Sequence, residues 1–404
     1  MRGVSNAMTV GERVAYYRRR RGLSQVTLAG LVGRTESWVE KIENGRAALD
    51  RVSVISQLAK ALDVSLHDLL PDDVAEVDDQ TRGQSVPALR ELILSYRAVN
   101  ARFAAKDRSI APVDATTLRQ LVDDTWTAYQ DSRFGYVIMR LNQALPVAYV
   151  TAHHPGPAAQ DATRCLAYLY QVAATVLVKL GDLDLARLCA DRGDLAVQLA
   201  NDPIAAASLQ RSVAHTLLSN AQYGDAIGVV QDGLAEAGNL RSPAGLSVRG
   251  AFTFVGAMAA ARLGDRTEAT SFLRHAKSLA TQLGQDANHV WTAFGPTTVA
   301  MHEVSVAAEL GDLRLAAELG QAVDVTALPR ERQVRHRLEV ARALSRLARR
   351  DAAEAMVLAA EHAAPDQVRR HFLTHELVHY WIRDPRRTPS PELVGLARRL
   401  GHAA

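Results

Sequence analysis

The chain has 404 residues, 48% of them hydrophobic and 23% charged, a globular composition that excludes a collagenous or wholly disordered polypeptide. Two cysteines, Cys165 and Cys189, exclude a disulfide framework, and no apolar run reaches the ~18 residues that read as a transmembrane helix. The net charge is only +3, but residues 1–50 carry nine Arg or Lys against five Asp or Glu, so a cytoplasmic protein with a basic N-terminal surface and no membrane association is expected.

From Val10 to Leu70 five short helical patterns follow one another. The first spans 10–21, with Val14 inward and Arg18 to Arg21 in a last turn where cations suit the helix dipole. Gly22 stops it. Ser24 can cap a second helix over 25–32. Gly33 and Arg34 turn the chain, and Thr35 can cap a third helix over 36–43 with Val39 and Ile42 inward. Asp50 opens a fourth, containing Ile55, Leu58 and Leu62. Ser65 and Asp68 have capping-box spacing ahead of Leu69 and Leu70. Two short helices joined by a Gly turn, the second with a polar first turn, meet the demands of a helix-turn-helix.

The residues Leu23-Ser24-Gln25, Leu28-Ala29, Val32-Gly33, Trp38-Val39, Ile42-Glu43-Asn44-Gly45 and Leu58-Ala59-Lys60-Ala61-Leu62 closely resemble the phage-repressor-like helix-turn-helix domains of the xenobiotic-response-element regulators. The resemblance continues through Val64-Ser65 and Asp68-Leu69-Leu70. It implies binding of double-stranded DNA, with the third helix in the major groove and half-sites ~34 Å apart, or a multiple of that, on a homodimer. It puts Glu36, Ser37 and Lys41 at base edges, and Gln25, Trp38, Asn44 and Arg46 at phosphates or in support of the helix. Arg34 and Thr35, at the turn into that helix, complete the candidate DNA-binding set. Glu36 can accept from cytosine N4, and Lys41 can donate to guanine O6 or N7.

Residues 71–87 are acidic and punctuated by Gly and Pro. They read as a linker between a head at 1–70 and a body at 88–404, a tether that lets the heads orient separately from the body. The body shows helical periodicity throughout. Leu180-Gly181-Asp182, Tyr223-Gly224-Asp225, Leu263-Gly264-Asp265 and Leu310-Gly311-Asp312 recur with glycines 43, 40 and 47 residues apart, and 347–351 is a degenerate fifth. The expected fold is all-α: a five-helix head followed by an α-solenoid of helical hairpins resembling tetratricopeptide repeats. Residues 126–130, 168–171 and 180–193 also resemble the helical body of bacterial regulators that carry the same head.

His375-Glu376-Leu377-Val378-His379 has the spacing of a zinc peptidase, two His at i and i+4 with a Glu between them. Ile382 and Pro385 stand where the extended motif needs Gly and a third His, and five arginines flank the helix. The expected reading is a terminal amphipathic helix with no catalytic residue, metal or cofactor. Arg335, Arg342, Arg346, Arg349 and Arg350 are expected on a solvated helix face. Trp126, Tyr129, Tyr170, Phe254 and Trp291 are candidate ligand-binding residues for the concave surface of a solenoid. The function expected is sequence-specific transcription regulation without enzymatic activity, by a homodimer whose body senses a peptide or small-molecule effector. The rival functions are a regulator–metallopeptidase fusion using His375, Glu376 and His379, and a protein-interaction adaptor.

Overall fold

The computed structural model describes residues 8–70, 86–95, 110–156 and 158–401. Among the described residues the fold is all-α, with no strand and a single isolated bridge between Ala287 and Phe294. The head comprises α1 (Val10–Arg20), α2 (Gln25–Leu31), α3 (Glu36–Glu43), α4 (Val52–Leu62) and α5 (Leu66–Leu69). Thr9 and Ser65 form capping boxes with Glu12 and Asp68, and Ser24 and Thr35 accept from the backbone of Thr27 and Trp38. Each cap satisfies amide donors that the helix cannot and contributes ~1 kcal/mol. Val14, Leu28, Val39, Ile42, Ile55 and Leu58 form the core these helices enclose.

Two head residues differ from their expected roles. Arg18 does not merely complement a dipole: its Nε and Nη2 reach the Glu43 carboxylate at 2.6 and 2.7 Å, and the Gln25 amide joins the same carboxylate at 2.7 Å. This buried pair ties α1 and α2 to the end of α3. Asp50 does not open α4. Arg51 takes the cap position without a side-chain bond, and Asp50 pairs instead with the body.

The body begins with α6 (Val86–Leu94), which already includes Val86 and Pro87. The rest of the acidic stretch expected as a linker lies outside the described residues. There follow α7 (Ala115–Gln130), α8 (Phe134–His153), α9 (Ala159–Lys179), α10 (Leu183–Ala200), α11 (Pro203–Ser219), α12 (Tyr223–Glu236), α13 (Pro243–Leu263) and α14 (Arg266–Leu283). The chain continues through α15 (Pro296–Leu310), α16 (Leu313–Ala322), α17 (Arg330–Arg346), α18 (Arg350–Ala363), α19 (Pro365–Arg370), α20 (Phe372–Ile382) and α21 (Pro391–Arg399). Successive hairpins stack so that α7, α9, α11, α13, α15 and α17 pack side by side, each against its own partner helix.

The hairpin turns carry a left-handed residue at Ser132, Gly181, Ala221, Gly264, Gly311 and Ala348. In the turn before α12 that residue is Ala221, whereas Gly224 lies inside the helix. The repeat frame therefore sits three residues earlier there than the Tyr-Gly-Asp match suggests. Asp182 and Asp265 follow their glycines and accept from the first turns of α10 and α14, which explains why Gly-Asp recurs.

The last hairpins return to the first. Ser132 donates to Gln367 at 2.6 Å, Lys179 pairs with Glu331 at 2.7 Å, and α17 packs against α7. The solenoid thereby closes around its inner helices. One of these, α13, is long and apolar enough to cross a membrane, but it is buried along nearly its whole length inside the body. Its close neighbours require small residues. A Cβ on Gly250 would lie 2.0 Å from the Phe294 ring. Gly250→Ala is expected to destabilise the chain by about 1–3 kcal/mol through overpacking. An unchanged thermal unfolding curve would contradict this α13–Phe294 contact.

Candidate functional site

Two surfaces and one cavity concentrate the chemistry. On the head, Gly33 sits at φ +63 in the turn between α2 and α3, a conformation that suits glycine. Val39 and Ile42 point into the core, while Thr35, Glu36, Ser37, Lys41, Asn44 and Arg46 are exposed with the body in place. Gln25 and Trp38 are half-buried at the border. The Arg34 guanidinium lies 5.6 Å over the Trp38 ring, and Arg46 pairs with Glu40 at 3.6 Å. The candidate DNA-binding residues thus gather on and around α3, and the body leaves this face open.

The second surface is the contact between head and body. The sequence suggested independently oriented heads, yet the head is docked through side chains that satisfy its backbone. The buried Glu376 carboxylate accepts from Val10 N at 3.1 Å and Leu49 N at 3.4 Å. Val10 is the first residue of α1, so a body carboxylate occupies that helix N-terminus. Glu309 accepts from Ser53 N at 3.2 Å, supplying to α4 the cap its own sequence lacks. Asp50 receives Arg346 through Nε and Nη2 at 2.9 and 3.0 Å, and its carbonyl accepts from Arg342 at 3.0 Å. Phe372 and Ala221 of the body pack against the head core.

Two expectations change here. The arginines of α17 and the turn after it do not form one solvated face. Arg342 is 2% exposed and ion-paired with Glu339 at 2.7 Å and Glu309 at 3.8 Å. Arg350 is buried beside Asp384, whereas Arg349 is exposed. The peptidase-like motif is likewise engaged elsewhere. Glu376 holds the head, His375 Nε2 bonds the Arg369 carbonyl at 2.7 Å, and His379 abuts Gly45, where a Cβ would lie 3.1 Å from its Nε2. Among the described residues no three His, Cys, Asp or Glu side chains could hold a metal ion together. Burial, with Asp50 and Glu12 nearby, pushes the Glu376 carboxyl up to about 7 against the pull of its two N–H donors.

The cavity lies among the inner helices of the solenoid, is partly open to solvent and has a volume of about 270 Å³. Trp126, Tyr129, Phe254 and Trp291 line it. Tyr170 does not; it is buried in the core around α9. Trp126 and Trp291 stack at 5.2 Å with planes 6° apart, and Phe254 stacks on His302 at 3.9 Å. Trp291 is presented by strained backbone. Val290, Trp291 and Ala293 have φ of +50, +52 and +47, values that cost ~1–3 kcal/mol each for non-glycine residues. Gln130 fastens the loop by donating to the Trp291 carbonyl at 3.2 Å and exchanging bonds with Asn288.

Facing these rings are Lys179, Arg211, Arg332 and Arg335, with Glu331 among them, while Glu309 and Glu339 line the cavity beside Arg342. Burial alone would raise Glu331, but Lys179, Arg335 and Arg332 override it and hold the carboxyl well below its usual range. Burial and the same cations push His215 and His371 down to about 3, so both rings are neutral. Burial and Arg332 lower Arg211 to about 10. Sequence reasoning found the rings but missed the cations. Their signal was the polar stripe Glu331, Arg335, Glu339, Arg342 and Arg346 on one side of α17. The cavity also reaches the docking surface, because Val52, Arg342 and Phe372 line it.

Among solved structures, Bacillus thuringiensis PlcR in complex with the peptide PapR7 and DNA matches with 14% identity and a TM-score of 0.36, over 68% of this chain and 95% of that one. No curated protein matches the chain. The family described as helix-turn-helix domain matches residues 9–71. The head is a helix-turn-helix domain.

Proposed function

We propose that this chain is a sequence-specific DNA-binding transcription regulator of the xenobiotic-response-element type, acting as a homodimer, with a tetratricopeptide-like body that senses an effector. The observation that carries the reading is the exposed polar face of α3, held by Val39 and Ile42 and open to a major groove. In this reading residues 1–70 are the reader and the helices from α6 onward are the sensor. The cavity volume of about 270 Å³ favours a small molecule over a peptide as effector. Its shared wall with the docking surface gives such an effector a route to the head. Glu376 acts as a structural clamp in this scheme, which supports regulation over peptide hydrolysis.

The test separates base reading from phosphate contact. Operators are first selected from random duplex DNA with the full-length protein, and two variants are then titrated with salt. Lys41→Ala should lose about 1–3 kcal/mol on the operator and relax one base pair per half-site. Arg46→Ala should weaken operator and scrambled DNA alike and reduce the slope of log affinity against log salt by about 1 per protomer. Equal losses on both DNAs for Lys41→Ala would remove α3 as the reader.

A further inference from the structure

We infer that the chamber inside the closed solenoid binds one small, planar, anionic ligand, its ring against Trp126 and Trp291 and its carboxylate or phosphate at Arg211 and Arg335. The inference deepens the proposed sensing role and rests on that reading for its regulatory meaning, but not for the binding itself.

Hydrogen-bonding balance gives the first argument. The indole Nε1 of Trp126, itself 3% exposed, has no acceptor. The Nε atoms of Arg211 and Arg335 are buried and also have none. Arg211 makes no hydrogen bond or ion pair among the described residues, and the polar contact of Arg335 is a 3.4 Å approach to the His302 ring. The unmet groups on Trp126, Arg211 and Arg335 are N–H donors; Glu339 Oε2 on the same lining also lacks a hydrogen bond but lies 2.7 Å from Arg342 Nη2. A buried unpaired donor is unfavourable, and a ligand rich in oxygen acceptors would satisfy several together.

Charge gives the second argument. Of the three carboxylates in the cavity lining, Glu309 and Glu339 are paired with Arg342 and Glu331 with Lys179 at 2.7 Å, which leaves Arg211 and Arg335 without a carboxylate partner among the described residues. Excess positive charge in a cleft between packed helices selects anions. Burial first, and then that potential, keep the imidazoles of His215 and His371 neutral.

Shape gives the third. The left-handed backbone at Val290, Trp291 and Ala293 holds Trp291 parallel to Trp126. Strain retained at a cavity wall is the kind of feature that pre-organises a site. The chamber admits a flat ring system and is too small for an extended chain.

The experiment uses the full chain and three probes: 2-naphthoate, 2-naphthyl phosphate and the neutral 2-naphthylmethanol. Calorimetry and tryptophan quenching report stoichiometry and affinity. One acid or one phosphate ester should bind per chain, and the alcohol should bind roughly tenfold more weakly or worse. The stronger of the two anions identifies the head group. Arg211→Gln should abolish the preference for the anion while leaving thermal stability unchanged or higher, because an unpaired charge has been removed. Arg335→Gln is the second variant should the first fail to fold. Equal binding of all three compounds, or saturable binding of none, overturns the inference. Operator binding is measured with and without the bound anion. Binding that leaves DNA affinity unchanged refutes the sensing role while the chamber site stands; DNA selection that persists without any anion binding refutes the chamber site alone.

Discussion

Replacing Arg342 by Met is expected to release the head from the body. Arg342 is buried between Glu309 and Glu339 and donates to the Asp50 carbonyl. Burial disfavours its charge, but Glu339, Glu309 and Asp50 override that and hold the guanidinium above its ordinary range. Met fills similar space without charge, leaving two buried carboxylates and one carbonyl without their partner. Breaking a buried pair from one side costs about 3–5 kcal/mol. Part of that falls on the docking surface, because Glu309 also caps α4 through Ser53. The measurement is amide exchange at Val10 and at residues 49–55 in the full chain, which should accelerate strongly while exchange in the rest of α1 and in α2 and α3 changes little. The exposed Arg349→Met is the comparison and should lie within about 0.5 kcal/mol of wild type. Equal protection of residues 49–55 in both variants would mean that Arg342 does not hold the head.

The head was legible in the sequence because its determinants are local. Ser24, Thr35 and Ser65 precede their helices, and the apolar spacing of Val39, Ile42, Ile55 and Leu58 places one face of each inward. The docking surface was not legible, because its partners lie far apart in the chain. Asp50 meets Arg346 and Val10 meets Glu376, and no local pattern announces either. Asp50 illustrates the ambiguity: an acid before an apolar run reads as a helix cap, and only the folded body shows that Arg346 takes the carboxylate. Glu376 is the inverse case, a residue whose neighbours His375 and His379 mimic a metal site while its carboxylate binds two amides. The chamber was half legible. Aromatic residues on helical segments flagged four of its walls, but eight arginines between 330 and 350 looked like a surface until the closure of the solenoid turned one side of α17 inward.

The pH dependence of docking follows from Glu376, and its sign can be worked out. Docking buries the carboxyl and raises its pKa from the ordinary 4.5 to about 7. Between those values the docked state binds more protons than the undocked state, so the docked state loses stability as pH rises through the window. At ~1.4 kcal/mol per unit the full effect is about 3 kcal/mol in favour of release at pH 8 relative to pH 4. The groups that share this patch are Glu12 on α1, Asp50 before α4, and His379 and Arg383 on and after α20. Asp50 is matched by Arg346. His379 is lowered by burial and Arg383, so its protonation opposes docking as pH falls and partly offsets the Glu376 slope. Glu376→Gln isolates the carboxyl, since it keeps one oxygen acceptor and removes the titration. Amide exchange at Val10 and Leu49, followed from pH 5 to 8 and corrected for the intrinsic rate, should show wild type progressively less protected than the variant. The two profiles running parallel would overturn the assignment. In that case the Val10 and Leu49 amides hold Glu376 ionised throughout, and the carboxylate acts as a permanent anionic cap on α1 instead of a proton-controlled clamp.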